Sequence, residues 1–165
     1  MPLAAITLYD VSVFLHVTAV VIGFGSTFAE SLMFPVALKL GNRHLPYVHR
    51  LQLAINQRFA TPALAVVLIT GIYQVIEGRW SFGAFWISAS FAIVIVLGAL
   101  IGGYFIPTDR RLAPMVEEEL GAAPREDVTL SEEYQRSARR EGIAGGVAGV
   151  LIVVAIFLMV TKLGG

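Results

Sequence analysis

The chain has 165 residues, of which 56% are hydrophobic and only 15% are charged, and its formal net charge is zero. About a quarter of the residues of an ordinary soluble domain are charged, so this composition argues against both a disordered chain and a soluble domain. The absence of cysteine excludes disulfides, thiolate metal sites and cysteine nucleophiles. No phosphate-binding loop, nucleophile–base pair or nucleic-acid-binding surface is recognisable, so we expect neither an enzyme nor a nucleic-acid partner.

Four uncharged runs predict helices that cross a membrane, because a helix rises about 1.5 Å per residue and the hydrocarbon core is about 30 Å thick. They are residues 11–29, 59–76, 80–108 and 142–161. We therefore expect an all-α polytopic membrane protein, a single four-transmembrane-helix bundle over residues 1–165. Its predicted spans are about 8–34, 57–77, 82–106 and 142–162, with the lipid bilayer as surroundings.

The distribution of Lys and Arg predicts the topology. All of these residues except Arg79 and Lys162 lie in two segments, between the first and second runs and between the third and fourth runs. The positive-inside rule makes those segments cytoplasmic and places the N- and C-termini outside. The protein is then expected in the cytoplasmic membrane.

Start and stop signals extend the predicted helices beyond the apolar runs. The first helix is expected to continue to about Leu38 and to end before Gly41-Asn42. Leu45-Pro46 is expected to open a second helix, with proline in its first turn, that runs to about Glu77. Pro62 lies inside this helix and should kink it, because proline lacks a backbone donor.

The polar segment 107–141 is predicted to form a short helical cytoplasmic cap between helices 3 and 4. Thr108-Asp109 could cap a helix that reaches Leu120 and is broken by Gly121-Ala-Ala-Pro124. A second helix, starting with Ser131-Glu132-Glu133, is expected to run directly into the fourth span.

Small residues at four-residue spacing predict close helix packing. They lie on spans one, three and four: Ala19 and Gly23, then Gly98 and Gly102, then Gly142, Gly145, Gly146 and Gly149. Such faces allow two backbones to approach, either within one chain or between chains. We expect a homo-oligomer or a partner membrane subunit.

His16 is the only histidine in an apolar run, and it is the most informative residue of the sequence. At about 100° per residue, Ser12, Gly23, Thr27 and Glu30 fall within about 40° of it, which predicts one polar stripe facing other helices. One interpretation is an axial haem b ligand, with His16 as the metal ligand. The other is a histidine hydrogen-bonded to a neighbouring Thr, Gln or backbone carbonyl.

Residues expected at the depth of His16 are candidate cofactor neighbours. They include Thr70 and Gln74 on span two, Trp86 and Ser90 on span three, and Met159 on span four. Met159 is the best alternative axial ligand, because a second histidine within the membrane is missing. Gln74 completes the predicted cofactor-binding set.

We expect structural roles for the other ionisable residues. Glu30 lies near the inner end of span one, and we expect a structural ion pair with Arg58 or Arg110. His44 and His49 lie in the basic inner loop without the spacing of a metal pair, so we expect them to face lipid headgroups.

Two sets of motifs resemble known membrane families. Phe14-Leu-His16-Val followed by Gly23-Phe-Gly25 resembles the first-span motif of a broad bacterial group that includes the copper resistance protein D membrane domain. Leu68-Ile-Thr-Gly71, Trp80-Ser-Phe-Gly83 and Trp86 resemble the predicted integral membrane family known as domain of unknown function 2269. The resemblance covers nearly the whole chain and implies a bacterial inner-membrane protein.

The resemblance carries no established activity. Distant relatives with a similar four-helix layout, such as the membrane protoporphyrinogen oxidase, are thought to bind haem through a first-span histidine. His16 matches that ligand position, but no second ligand transfers, because spans two to four contain neither His nor Lys at depth.

Three functions therefore stay open. The leading hypothesis is a haem b-binding protein, with His16 as axial ligand, in electron transfer or haem handling. The alternative is a non-catalytic accessory or scaffold subunit of a membrane complex. A small-solute or ion transporter is the third, disfavoured because the spans offer few polar groups.

Overall fold

A computed structural model describes residues 5–122 and 129–164. Within these residues the chain is all-α, as predicted. One π-helical turn joins α2 to α3 and another joins α4 to α5. The six α-helices therefore form four long rods, which are α1, α2–α3, α4–α5 and α6. The elements are α1 (Leu8–Leu40), a 3₁₀ turn (Asn42–His44), α2 (Leu45–Ile55), a first π turn (Asn56–Ala60), α3 (Thr61–Glu77), α4 (Phe85–Leu100), a second π turn (Ile101–Phe105), α5 (Ile106–Gly121) and α6 (Glu132–Thr161).

Each rod is long and apolar enough to cross a membrane. Large apolar side chains are exposed on all four, among them Val21, Ile69, Ile95 and Val160. In water such a surface would drive aggregation, whereas hydrocarbon is as apolar as these side chains. The exposed apolar faces are therefore those of a membrane protein.

The ends of the first helix are set by local hydrogen bonds. Thr7 and Asp10 form a reciprocal capping box, in which the backbone N–H of each donates to the side chain of the other. At the other end Gly41 has a φ of 113°, a conformation that glycine adopts without a Cβ clash. The predicted stop before Gly41-Asn42 is confirmed, and α1 ends at Leu40, close to the expected Leu38.

The two π turns each precede a proline. The helix predicted from Leu45-Pro46 to Glu77 forms, and the first π turn lies immediately before Thr61-Pro62. Thr61 donates both its backbone N–H and its hydroxyl to the carbonyl of Asn56. A π turn contains one extra residue, which shifts the helix register at the point where Pro62 has no backbone N–H to donate. The rod therefore continues past Pro62.

The prediction of a helix start at Thr108-Asp109 was wrong. The second π turn carries the third rod through Pro107, which lies in the first turn of α5, and Asp109 is buried inside that helix. Proline is tolerated in a first turn because its missing donor has no partner to lose there. The rod thus reaches Gly121 without the break that would separate a span from a cap.

The last rod begins where the sequence predicts it. The Ser131 hydroxyl accepts a hydrogen bond from the backbone N–H of Tyr134, and α6 then runs unbroken to Thr161. Residues 123–128, which hold Pro124 of the predicted helix break and Arg125, lie outside the described residues.

Helix α1 packs along α3, α4 along α6, and α2 along α5. Helices α1 and α3 approach each other closely at Gly23, where a Cβ would lie 2.5 Å from Cβ of Ala63. Ala19, Ala63, Val67 and Val94 form the core beside it. The small residues Ala19 and Gly23 therefore do allow close packing, whereas a Cβ on Gly142, Gly145 or Gly146 would meet nothing within 4 Å.

Candidate functional site

His16 is buried between α1 and α3, and its hydrogen bond fixes which ring nitrogen is free. Nδ1 lies 2.8 Å from Oγ1 of Thr70, and the same oxygen lies 2.6 Å from the backbone carbonyl of Val66. The Thr70 hydroxyl has one hydrogen, which it donates to the Val66 carbonyl, so it accepts the Nδ1–H of His16. In this tautomer Nε2 carries the lone pair, while the backbone carbonyl of Val67 also interacts with the ring.

A second hydrogen-bonded contact lies one helical turn away. The Gln74 side-chain amide donates to the backbone carbonyl and the hydroxyl of Ser12, both at 3.3 Å. His16–Thr70 and Ser12–Gln74 thus form two polar cross-links between α1 and α3. The hydrogen-bonded interpretation of His16 is confirmed, and it leaves Nε2 available to a ligand.

The residues of α4 and α6 that were expected at the depth of His16 do not form a hydrogen bond with it. Nε1 of Trp86 and Oγ of Ser90, both on α4, are buried without a hydrogen-bond partner. A Cβ on Gly71 would lie 3.6 Å from Cε1 of His16 and 3.9 Å from Cζ of Phe91, so the glycine leaves space between these two rings. Met159 is half-buried on α6.

Glu30 is buried near the far end of α1, at 9% exposure, and its Oε1 has no hydrogen-bond partner. Arg58 and Arg110 are both exposed, and neither forms an ion pair with Glu30 in the described part of the chain. The ionisable groups that act on Glu30 electrostatically are Asp109 and Glu141.

The prediction that His49 faces lipid headgroups was wrong, because His49 is fully buried at the end of the bundle away from His16. Its Nδ1 lies 2.9 Å from Oδ1 of Asp109 and 3.9 Å from Oε2 of Glu141. Its Nε2 is hydrogen-bonded to the Tyr134 hydroxyl at 2.9 Å. We call these four residues, His49, Asp109, Tyr134 and Glu141, the His49 cluster.

The His49 cluster is held by apolar packing. Leu45, Val48, Leu112, Val116 and Tyr134 belong to one buried core. The rings of Phe34 and Tyr134 both pack edge-on against the His49 ring, with centroids 5.7 and 5.8 Å away. One imidazole nitrogen and two carboxylates of the cluster have their ligand atoms within 4.8 Å of one another. This donor set could hold a metal ion.

One sequence signal could have placed His49 in the interior. Leu45, Val48 and His49 are the buried residues of α2, and their spacing of three and four residues is that of one helix face. No such signal predicts that Asp109 and Glu141 lie close to His49, because the three residues belong to three different rods. Their meeting depends on how the rods pack.

Comparison with known proteins gives the family. The chain matches the sequence profile of a family described as predicted integral membrane protein (DUF2269) over residues 10–163. It belongs to this family. No curated protein and no solved structure matches the chain. The family assignment agrees with the four apolar rods, and it assigns no activity.

Proposed function

We propose that this DUF2269 protein binds haem b through Nε2 of His16, and that it serves electron transfer or haem handling in the bacterial inner membrane. The observation that carries the proposal is the hydrogen bond from His16 Nδ1–H to Thr70, which leaves Nε2 with its lone pair free. In haem and metal sites the ring nitrogen that does not bind the metal is held by such a bond, which fixes the tautomer and the ring orientation.

Two observations near His16 support the proposal. Gly71 leaves room for a methyl group at contact distance from the imidazole, and Ser90 and Trp86 have buried polar atoms with no hydrogen-bond partner among the described residues. Met159 and Gln74 would be the other residues that hold the haem. Bound haem would supply one-electron exchange; the chain would hold, orient and shield it.

The proposal includes a topology with both termini outside and the segment 107–141 in the cytoplasm. Its support is the concentration of Lys and Arg in the segments that connect the first and last pairs of rods. His16 then lies in the outer half of the membrane.

The proposal also includes a distant relationship to the copper resistance protein D-like group, supported by Phe14-Leu-His16-Val and Gly23-Phe-Gly25.

A second candidate, from another class, is an accessory or scaffold subunit without a cofactor. Its support is the row of Gly142, Gly145 and Gly146 on α6, where a Cβ would meet nothing within 4 Å, so the row offers a small-residue face to another helix. That helix could belong to a second copy of the chain or to a partner subunit.

An absorption spectrum separates the two candidates. The protein, purified in detergent from haem-replete cells, is measured oxidised and after dithionite reduction, together with His16→Ala and the control His44→Ala. We expect a Soret band that shifts on reduction, is absent from His16→Ala and is retained by His44→Ala. Thr70→Val should weaken haem retention by about 10–100-fold, as loss of such supporting bonds does at metal sites.

The other outcomes are equally informative. A band that survives His16→Ala would remove His16 as the ligand. A colourless wild-type protein would contradict haem binding altogether, and size-exclusion mass measurement would then test the accessory candidate by the presence of a second copy or a partner.

A further inference from the structure

The His49 cluster and Glu30 bring ionisable groups from all four rods together in the interior. Glu30 comes from α1, His49 from α2, Asp109 from α5, and Tyr134 and Glu141 from α6. Side-chain exposure is 0% at His49 and 1% at Asp109. Such a concentration of buried ionisable groups is costly in free energy and is usually retained for binding or function.

In the described part of the chain, His49 is the basic side chain that contacts the buried carboxyl groups, with its Nδ1 2.9 Å from Asp109 and 3.9 Å from Glu141. In the described ranges 5–122 and 129–164, no Lys or Arg forms an ion pair with Glu30, Asp109 or Glu141. The basic residues nearby pair with exposed acids instead: Arg50 with Glu117, Arg111 with Glu133, and Arg136 with Glu132. Buried carboxyl groups are neutralised by protonation, by pairing with a cation or by coordinating a metal, so a bound cation is one way to neutralise three carboxyl groups that share one imidazole.

Two buried oxygen atoms of these carboxyl groups have no hydrogen-bond partner. They are Oδ2 of Asp109, whose Oδ1 bonds His49, and Oε1 of Glu30, which interacts electrostatically with Asp109 and Glu141. Leaving a buried polar atom unsatisfied costs about 1–3 kcal/mol, and more when it is charged. Oδ2 of Asp109 is therefore available as a ligand atom in a site that already holds a histidine, and Glu30 adds an unpaired carboxyl group that acts on the site electrostatically.

The distances fit one ion between the side chains. The ligand atoms of His49, Asp109 and Glu141 all lie within 4.8 Å of one another. Two ligands that each bind an ion at about 2.1 Å with tetrahedral geometry lie about 3.4 Å apart. The separations from His49 Nδ1, 2.9 Å to Asp109 and 3.9 Å to Glu141, fall on either side of that value.

The surroundings of His49 resemble those of a ligating imidazole. Its Nε2 is bonded to Tyr134, and Phe34 and Tyr134 hold the ring from two sides, so Nδ1 is aimed at the carboxylates. A metal-bound histidine commonly has its second nitrogen held in this way. An ion at Nδ1 takes the place of the hydrogen between His49 and Asp109.

We propose that His49, Asp109 and Glu141 form a binding site for a divalent first-row transition-metal ion that ties the second, third and fourth rods together. One imidazole among carboxylates matches the ligand preference of Mn²⁺, Fe²⁺ and Zn²⁺. The site is separate from His16 and does not depend on haem binding.

The test uses the full-length protein in detergent, purified through a tag without histidine and stripped with a chelator. Mn²⁺ or Zn²⁺ is added, excess ion is removed by desalting, and bound metal is counted by mass spectrometry. We expect about one ion per chain and a higher melting temperature with the ion than without it. Co²⁺ serves as a spectroscopic probe, since its visible absorption reports the coordination of a bound ion.

The variants Asp109→Asn and Glu141→Gln should lose the ion and the melting shift, while the matched control Glu117→Gln, an exposed acid on the same helix as Asp109, should keep both. Tyr134→Phe should weaken metal affinity by about 10–100-fold. The proposal is overturned if the wild-type protein retains no ion and its melting temperature does not respond. It is also overturned if the metal content of both Asp109→Asn and Glu141→Gln equals that of the control.

Discussion

The two histidine sites of this bundle differ in how many helices build them. His16 lies between two helices, and its ring makes one side-chain hydrogen bond, to Thr70. His49 lies where four rods converge, bonded to Asp109 on one side and to Tyr134 on the other. A site between two helices depends on one interface, whereas a site made by four depends on the whole packing. Local changes should therefore affect the two sites separately.

The largest expected effect comes from the interface that supports His16. In Gly23→Ala the new Cβ would lie 2.5 Å from Cβ of Ala63, so α1 and α3 must move apart. Overpacking of this kind costs typically about 1–3 kcal/mol of unfolding free energy. It should be measured by denaturant titration in detergent micelles, with metal binding at the His49 cluster retained.

Gly25→Ala is the matched control for that change, because a Cβ on Gly25 would meet nothing within 4 Å. It adds the same methyl group to the same helix and should leave the unfolding free energy unchanged. Equal destabilisation by both variants would mean that the α1–α3 contact is not the cause.

A smaller effect is expected at the four-helix site. Tyr134→Phe removes only the hydroxyl that bonds Nε2 of His49, and both rings stay buried. A hydrogen bond contributes about 0.5–1.5 kcal/mol, so we expect a loss of about 1 kcal/mol in the metal-free protein. The control is Tyr47→Phe, since the Tyr47 side chain is 67% exposed. No difference between the two variants would contradict a structural role for the Tyr134 hydroxyl.

How far each site could be predicted follows from the same comparison. His16 stands out because the rest of its run is apolar, and helical periodicity alone placed it on a buried face with Ser12 and Glu30. Thr70 was among the residues expected at its depth, and the structure brings the two together. Signals of this kind are local, so one sequence is enough to detect them.

The His49 cluster could not be predicted because its members lie in polar segments and come from separate rods. Thr108-Asp109 looked like a helix cap because Thr and Asp are favoured N-cap residues. The second π turn let the helix continue through Pro107 and placed Asp109 inside α5. Both π turns lie just before an X-Pro pair, so the proline is the local feature that accompanies the change of register, whereas the meeting of Asp109 with His49 and Glu141 depends on how the rods pack.

The smallest expected effect tests whether burial, and not mere pairing, distinguishes the His49 cluster. Arg50 and Glu117 join the same two helices, α2 and α5, as His49 and Asp109 do, at 2.7 Å, but their side chains are 65% and 40% exposed. Exposed ion pairs contribute little because water and salt screen them, so the coupling in a double-mutant cycle of Arg50→Ala and Glu117→Gln should be about 0.5 kcal/mol or less. High salt should reduce it further. A coupling above about 1 kcal/mol that persists in salt would mean that this surface pair holds α2 against α5 as firmly as a buried contact does.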